Sequence, residues 1–247
     1  MRLALHAEWT KLRTSPGTLW LLATVVAATV GVSAFAAATI VCRTGDCGID
    51  PAKLSLAGVQ LGQAVVAILA VLVIGGEYAT GMVRVSLAAV PRRGTLLAAK
   101  ALVLTAVVTV ASAPAVAGSL LAGRAILHTL SFDDGGVRRA AAGSVLYLEL
   151  IGLLALGVAT AVRNSAAATG VVLGLLYLFP IMAQAVSDEK WQKHLLQIGP
   201  MTAGLAIQAT TNLADLPIAP WKGLGVLAAW ATAALAAGWL LLRYRDA

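Results

Sequence analysis

The sequence predicts an all-α membrane protein: six transmembrane helices, an N-terminal interfacial amphipathic helix, and short external helices between spans five and six. Three observations predict it. The 247 residues are 60% hydrophobic and only 12% charged, with a mean hydropathy of +0.87, a balance foreign to soluble domains. Six apolar runs reach the roughly 20 residues that a helix rising about 1.5 Å per residue needs to cross a hydrocarbon core of about 30 Å. The Lys and Arg residues sit in short stretches between those runs, where they orient spans rather than bind nucleic acid, despite a net charge of +7.

The runs are Leu19 to Val41, Leu54 to Gly76, Ala101 to Gly123, Ala142 to Val162, Ser165 to Val186 and Gly223 to Leu242, and only the fourth contains a formal charge, Glu149. Aromatic residues make up just 5%, so packing relies on small side chains and close backbones. No repeat, low-complexity linker or second domain interrupts residues 1–247, which read as one transmembrane domain.

Before the first run, Met1, Leu5, Trp9 and Leu12 fall on one helical face with Arg2, His6, Lys11 and Arg13 beside it. Residues 1–16 therefore read as an amphipathic helix in the membrane interface, ended by Ser15-Pro16-Gly17. Charges mixed through this segment are unlike a cleaved signal, so it is expected to be retained. An even number of spans puts both termini on one side. Placing them in the cytoplasm assigns Arg2, Lys11, Arg13, Arg84, Arg92, Arg93, Lys100, Arg163, Arg243 and Arg245 there, and the other eight basic residues outside.

Cys42 and Cys47, the only cysteines, are too few for a disulfide framework but suit one bridge if their loop faces an oxidising compartment. The long segment Ser187 to Lys222 reads as two short helices folded against the outer membrane surface.

Motifs for catalysis are missing from the sequence. It has no phosphate-binding Gly-x-x-x-x-Gly-Lys-Ser/Thr loop, no His-Glu-x-x-His and no Gly-x-Ser-x-Gly, and His6, His128 and His194 are scattered. No catalytic residue, metal ligand or cofactor site is expected. Asp133-Asp134-Gly-Gly-Val-Arg138-Arg139 superficially resembles the start of a CDP-alcohol phosphotransferase motif, but the later metal-holding aspartates are missing, and it reads as a solvated loop.

The informative stretch is Gly75-Gly76-Glu77-Tyr78-Ala-Thr80-Gly81-Met82-Val-Arg84, followed by Pro91-Arg92-Arg93-Gly94 and Lys100. Glu77 and Arg84 are about two helical turns apart and share a face if Gly81 leaves the helix unbroken. The bland reading is a helix-end salt bridge that fixes topology. Pro91 ends a small, partly apolar helix, Val83 to Val90, fringed with basic residues and suited to docking into a partner's groove.

The Glu-x-x-x-Gly-x-x-Arg pattern followed by Pro-x-Arg, the amphipathic start, the six spans and Pro200-Met-Thr-Ala203-Gly204 before the last span together resemble an ABC-2 type transporter permease, a bacterial ABC exporter membrane subunit, over nearly the whole chain. The resemblance implies a homodimer that pairs with separate ATP-binding subunits, with ATP and Mg held on those partners, and cytoplasmic coupling helices that transmit closure. Carried onto this chain, Glu77, Tyr78, Thr80, Gly81, Arg84, Arg92 and Arg93 form the first coupling element, and Arg163 and Asn164 with Ser165 form the second.

Glu149, Gln60 and Gln63 stand at similar depths and are expected to meet, either lining a substrate cavity or with Glu149 protonated for packing or snorkelling. Tyr177 and Phe179, with Pro180, are candidates for the same path or for ordinary packing. Gly58-x-x-x-Gly62 and Gly170-x-x-x-Gly174 bring helices close within one chain or between two. The expected function is export of a drug, lipid or peptide across a bacterial plasma membrane with both termini cytoplasmic. A non-transporting immunity or signalling protein on the same scaffold, or a six-span membrane enzyme, are the rival readings.

Overall fold

The computed structural model describes residues 2–39, 50–83, 85, 93–128, 130–131 and 134–244. The described chain is helical, and six of its helices are long and apolar enough to cross a membrane. It is an all-α membrane protein. Helix α1 (Arg2–Thr14) precedes span one, α2 (Pro16–Thr39); a short α3 (Pro51–Ser55) leads into span two, α4 (Val59–Thr80). Span three is α5 (Arg93–Leu127) and span four α6 (Gly135–Val162). Span five combines α7 (Ser165–Leu173), a π-helical turn (Gly174–Leu178) and α8 (Phe179–Gln184); then come α9 (Glu189–Ile198), α10 (Pro200–Leu205) and span six, α11 (Pro220–Tyr244).

The boundaries follow local chemistry. Asp50 caps α3 by accepting from the N–H groups of Ala52 and Lys53 at 3.1 and 3.2 Å, so span two starts five residues later than the apolar run. Gly81, at φ 71°, closes α4 in the left-handed conformation that glycine adopts without strain. Pro180 has no N–H to give Leu176, and the π turn ends just before it, where the Phe179 N–H reaches back to Gly174.

Helices α4, α5 and α6 form the centre, with about 56% of their apolar windows buried, against 22–28% for the other three spans. Tyr147, Leu148, Ile151, Leu154 and Leu156 give α6 a fully enclosed side. Glycine sets the closest crossings. A Cβ on Gly157 would lie 2.5 Å from the backbone of Ala234 in span six, so α6 and α11 pack main chain to main chain. Gly58 packs against the Thr29 carbonyl and the Ser33 hydroxyl of α2, and Gly62 against the Thr29 side chain, making the first Gly-x-x-x-Gly an internal packing motif. Gly170 and Gly174 meet nothing within 4 Å.

Two expectations change. The face α1 turns inward is Ala4 and Glu8, with Lys11 and Leu12 half-buried, while Trp9 is 45% exposed; the packing helix is rotated relative to its most apolar stripe. The segment before span six does not lie wholly on the surface. Helix α9 is exposed, but Pro200, Ala203 to Gln208 and Ala209 are buried against α6 and α11. Gly204 permits this entry because a Cβ there would lie 2.6 Å from the Tyr147 ring.

At the same end of the bundle, Asp50 clamps the turn after this re-entrant segment. Its carboxylate accepts from the Thr210 N–H and hydroxyl, the latter at 2.7 Å, and from the Thr211 N–H at 3.0 Å. Burial acts to raise the Asp50 pKa, but these bonds and the one from Lys53 outweigh it and hold the carboxyl below its ordinary 3.8.

Two outcomes are expected. Gly157→Val should lower detergent-solubilised stability by at least the 1–3 kcal/mol typical of overpacking, because backbone cannot yield; an unchanged melting temperature would contradict this crossing. An acid with a depressed folded pKa stabilises above its unfolded pKa and loses that contribution as pH falls through the folded value. Thr210 and Thr211 amide protection, corrected for intrinsic exchange, should therefore persist down to the ordinary carboxylate range and fade only below about 3.8, whereas Asp50→Ala should lack it throughout.

Candidate functional site: a buried charge cluster at the termini end of the bundle

Helix α1, the end of α4 and the start of α5 converge on four charged side chains. Lys100, fully enclosed, donates to Glu8 Oε2 at 2.8 Å and to Glu77 Oε1 at 2.7 Å. Lys11 donates to the same Glu77 oxygen at 2.7 Å and to Glu8 Oε1 at 3.1 Å. Two ammonium groups and two carboxylates thus form a closed, neutral ring. For Lys11, burial favours the neutral amine, but its hydrogen bonds to Glu77 and Glu8 and their negative charge prevail and raise its pKa above the usual 10.5. Glu77 Oε2 is buried without a hydrogen-bond partner.

Removing several charges from water costs several kcal/mol per ion, and only close, mutually satisfying geometry compensates. The ring supplies that geometry by joining three elements distant in sequence. Its outer flank is a recess of about 320 Å³ between α1, α2 and α4, lined by Glu8, Lys11 and Glu77 and by apolar residues such as Leu12, Leu69 and Met82.

The second expected element lies beside it. Arg163 ends α6 with φ 61°, donates from Nη2 to the Leu241 carbonyl at 3.4 Å and places its guanidinium 5.8 Å from the centroid of the Tyr78 ring. Asn164 caps α7, accepting from the Ala167 N–H at 2.9 Å. Gly75 admits α7 so closely that its Cβ would sit 2.3 Å from Ser165 Oγ. Glu77, Tyr78, Arg163 and Asn164 therefore share one end of the bundle.

Gly81 does break the helix, which removes the condition for a shared Glu77–Arg84 face, and the partners found for Glu77 are lysines. Arg84 and Arg92, like Cys42 and Cys47, lie outside the described residues, and so does the Arg93 side chain. Thr80 is exposed and donates to the Gly76 carbonyl at 2.9 Å. Glu8, Lys11 and Lys100 were not read as a site. Lys11 and Lys100 border apolar runs on one predicted side, as topology-setting basic residues do, and Glu8 carries no motif of its own.

The expected cavity residues separate. Tyr147 donates to Gln63 Oε1 and Gln63 Nε2 approaches Met201 Sδ at 3.3 Å, while the Tyr177 hydroxyl donates to the Gln60 carbonyl. Glu149 is two residues, about 200° around the helix, from Tyr147. It accepts instead from Thr109 at 2.6 Å. Phe179 lines an apolar groove with Gly174, Met182 and Trp230. The two glutamines and Tyr177 meet, whereas Glu149 and Phe179 face elsewhere. No metal-holding group of His, Cys, Asp or Glu occurs among the described residues.

No protein-family model matches the chain, and no curated protein matches it significantly.

Replacing Lys100 with Met should strand Glu8 and Glu77 and cost about 3–5 kcal/mol, as removal of one partner from a buried ion pair does. Adding Glu77→Gln should recover part of that loss in a double-mutant cycle. Strictly additive losses in thermal or denaturant unfolding would show that the ring is not coupled.

Proposed function

We propose that this chain is the membrane-spanning subunit of an ATP-driven exporter of amphiphilic or hydrophobic molecules, working as a homodimer with separate ATP-binding subunits. The observation that carries the reading is the buried charge ring. It ties α1, α4 and α5 into a unit at the membrane end where the resemblance to ABC-2 permeases places the motor.

A coupling device must receive a push at the surface and pass it to spans without dissipating it in local bending. Met82 and Val85, 45% and 69% exposed, project just beyond the ring and offer an apolar contact at the end of span two. The ring transfers displacement of α4 to α1 and α5, and the Tyr78–Arg163 contact extends it to α6. The open face of Gly170 and Gly174, beside the apolar groove holding Phe179, supports a meeting of two copies along span five. ATP and Mg chemistry belongs to the partner subunit in this reading; no residue here is assigned a covalent step.

The test is co-expression with candidate ATP-binding subunits. Met82→Asp and Val85→Asp leave the ring intact and should weaken co-purification by about ten-fold or more, as burying a charge in an apolar contact does, with loss of substrate-stimulated ATPase activity. Full retention of both by the double variant would remove this surface from the coupling role.

A further inference from the structure

We infer that the cavity beside the Asp50 clamp is a binding site for an organic ammonium ion that carries an apolar body. The cavity, about 520 Å³, lies between α3, the start of α4 and the segment from Leu205 to Leu216, at the bundle end opposite the termini. Its wall is rich in acceptors. Asp215 lines it, is exposed, and has no side-chain partner among the described residues. Asp50 adds a second negative charge, fixed in place by the Thr210 and Thr211 N–H groups. Gln208, only 2% exposed, donates from Nε2 to the Ser144 hydroxyl at 3.1 Å. Its Oε1 has no hydrogen-bond partner among the described residues and is not one of their sealed polar atoms, so it opens on the cavity that Gln208 lines. An enclosed acceptor without a donor is costly, and an N–H from a ligand removes that cost.

Leu54, Leu205 and Leu216 make the apolar part of the wall. A bare metal ion fits it poorly, since hard cations take six or more oxygens and no group of three His, Cys, Asp or Glu that could hold a metal occurs among the described residues. An anion would meet two carboxylates against one ammonium, that of Lys53, which is exposed and whose flexible stem carries the charge out to water. A cation that brings N–H donors and an apolar body uses both parts of the lining, with charge-assisted bonds to Asp215 and Gln208 Oε1 and burial against the leucines. Gln60 lines the same cavity, and its carbonyl accepts from Tyr177, so the site reaches residues that the sequence places on a substrate path. Only the identity of this ligand as cargo rests on the exporter reading; binding needs no ATP-binding partner.

The test is calorimetric titration of the full chain in a non-ionic detergent, without any ATP-binding subunit, using 2-phenylethylammonium, its neutral counterpart 2-phenylethanol and the anion 3-phenylpropionate. At low salt the ammonium should bind about ten-fold more tightly than the alcohol, the gain expected of one charge-assisted bond, and the anion more weakly than the alcohol. Asp215→Asn and Gln208→Met should each move the ammonium-to-alcohol ratio toward parity, and Lys53→Gln should raise it by removing a like charge. Ala57→Phe, at a half-buried position of the lining, should fill the cavity and weaken both ligands. Equal affinity for ammonium and alcohol, tighter binding of the anion, a ratio unmoved by both Asp215→Asn and Gln208→Met, a ratio that Lys53→Gln fails to raise, or full binding by Ala57→Phe would each overturn the proposal. Intact binding with no ATP-driven movement of the ammonium would support the site and count against the exporter reading alone.

Discussion

The ring formed by Glu8, Lys11, Glu77 and Lys100 is the constraint from which the arrangement of this end of the bundle follows. Lys100 cannot be enclosed at the start of span three unless two carboxylates reach it, and neither is near it in sequence: Glu77 is 23 residues away and Glu8 is 92. Satisfying it requires α1 to return beneath the bundle and α4 to end beside α5. A neutral ring with short bonds tolerates the low dielectric; any three of the four would leave a net charge there.

The charge ring contrasts with the glycine crossings of the spans, several of which depend on missing side chains: Gly157 against Ala234, Gly62 against Thr29, Gly204 against the Tyr147 ring. Such crossings are close but carry little directional preference, since dispersion attraction does not fix angles as hydrogen-bonded charges do. Several spans thus meet on glycine faces, while paired charges join three helices near one surface. That asymmetry underlies the exporter reading.

The spans were legible because hydrophobic length is a local property, and the described part of each apolar run lies largely in a helix of membrane-crossing length. Their ends were less so. Asp50, Gly81 and Pro180 shift boundaries through capping and hydrogen-bond loss, which act over only a few residues. The Pro200–Gln208 segment read as surface because its composition is intermediate; its burial depends on Gly204 facing Tyr147 and on Gly143 admitting Ile207, contacts between distant stretches. Glu77 stood out in the sequence, but proximity along the chain pointed to Arg84. Lys11 and Lys100 looked like topology signals, because unpaired basic residues flanking a span and buried, paired ones are the same letters. Gln63 and Glu149 have similar depths, yet depth does not reveal azimuth, and Glu149 turns toward Thr109.

An ATP-driven partner can reach the charge ring only if that end of the bundle faces the cytoplasm. The most direct measurement is the sidedness of position 82. In a variant carrying Met82→Cys with Cys42 and Cys47 replaced by serine, a membrane-impermeant maleimide should leave the protein unlabelled in intact cells and label it once the membrane is opened. Labelling of intact cells would put this end of the bundle outside, beyond any ATP-binding partner, and contradict the account.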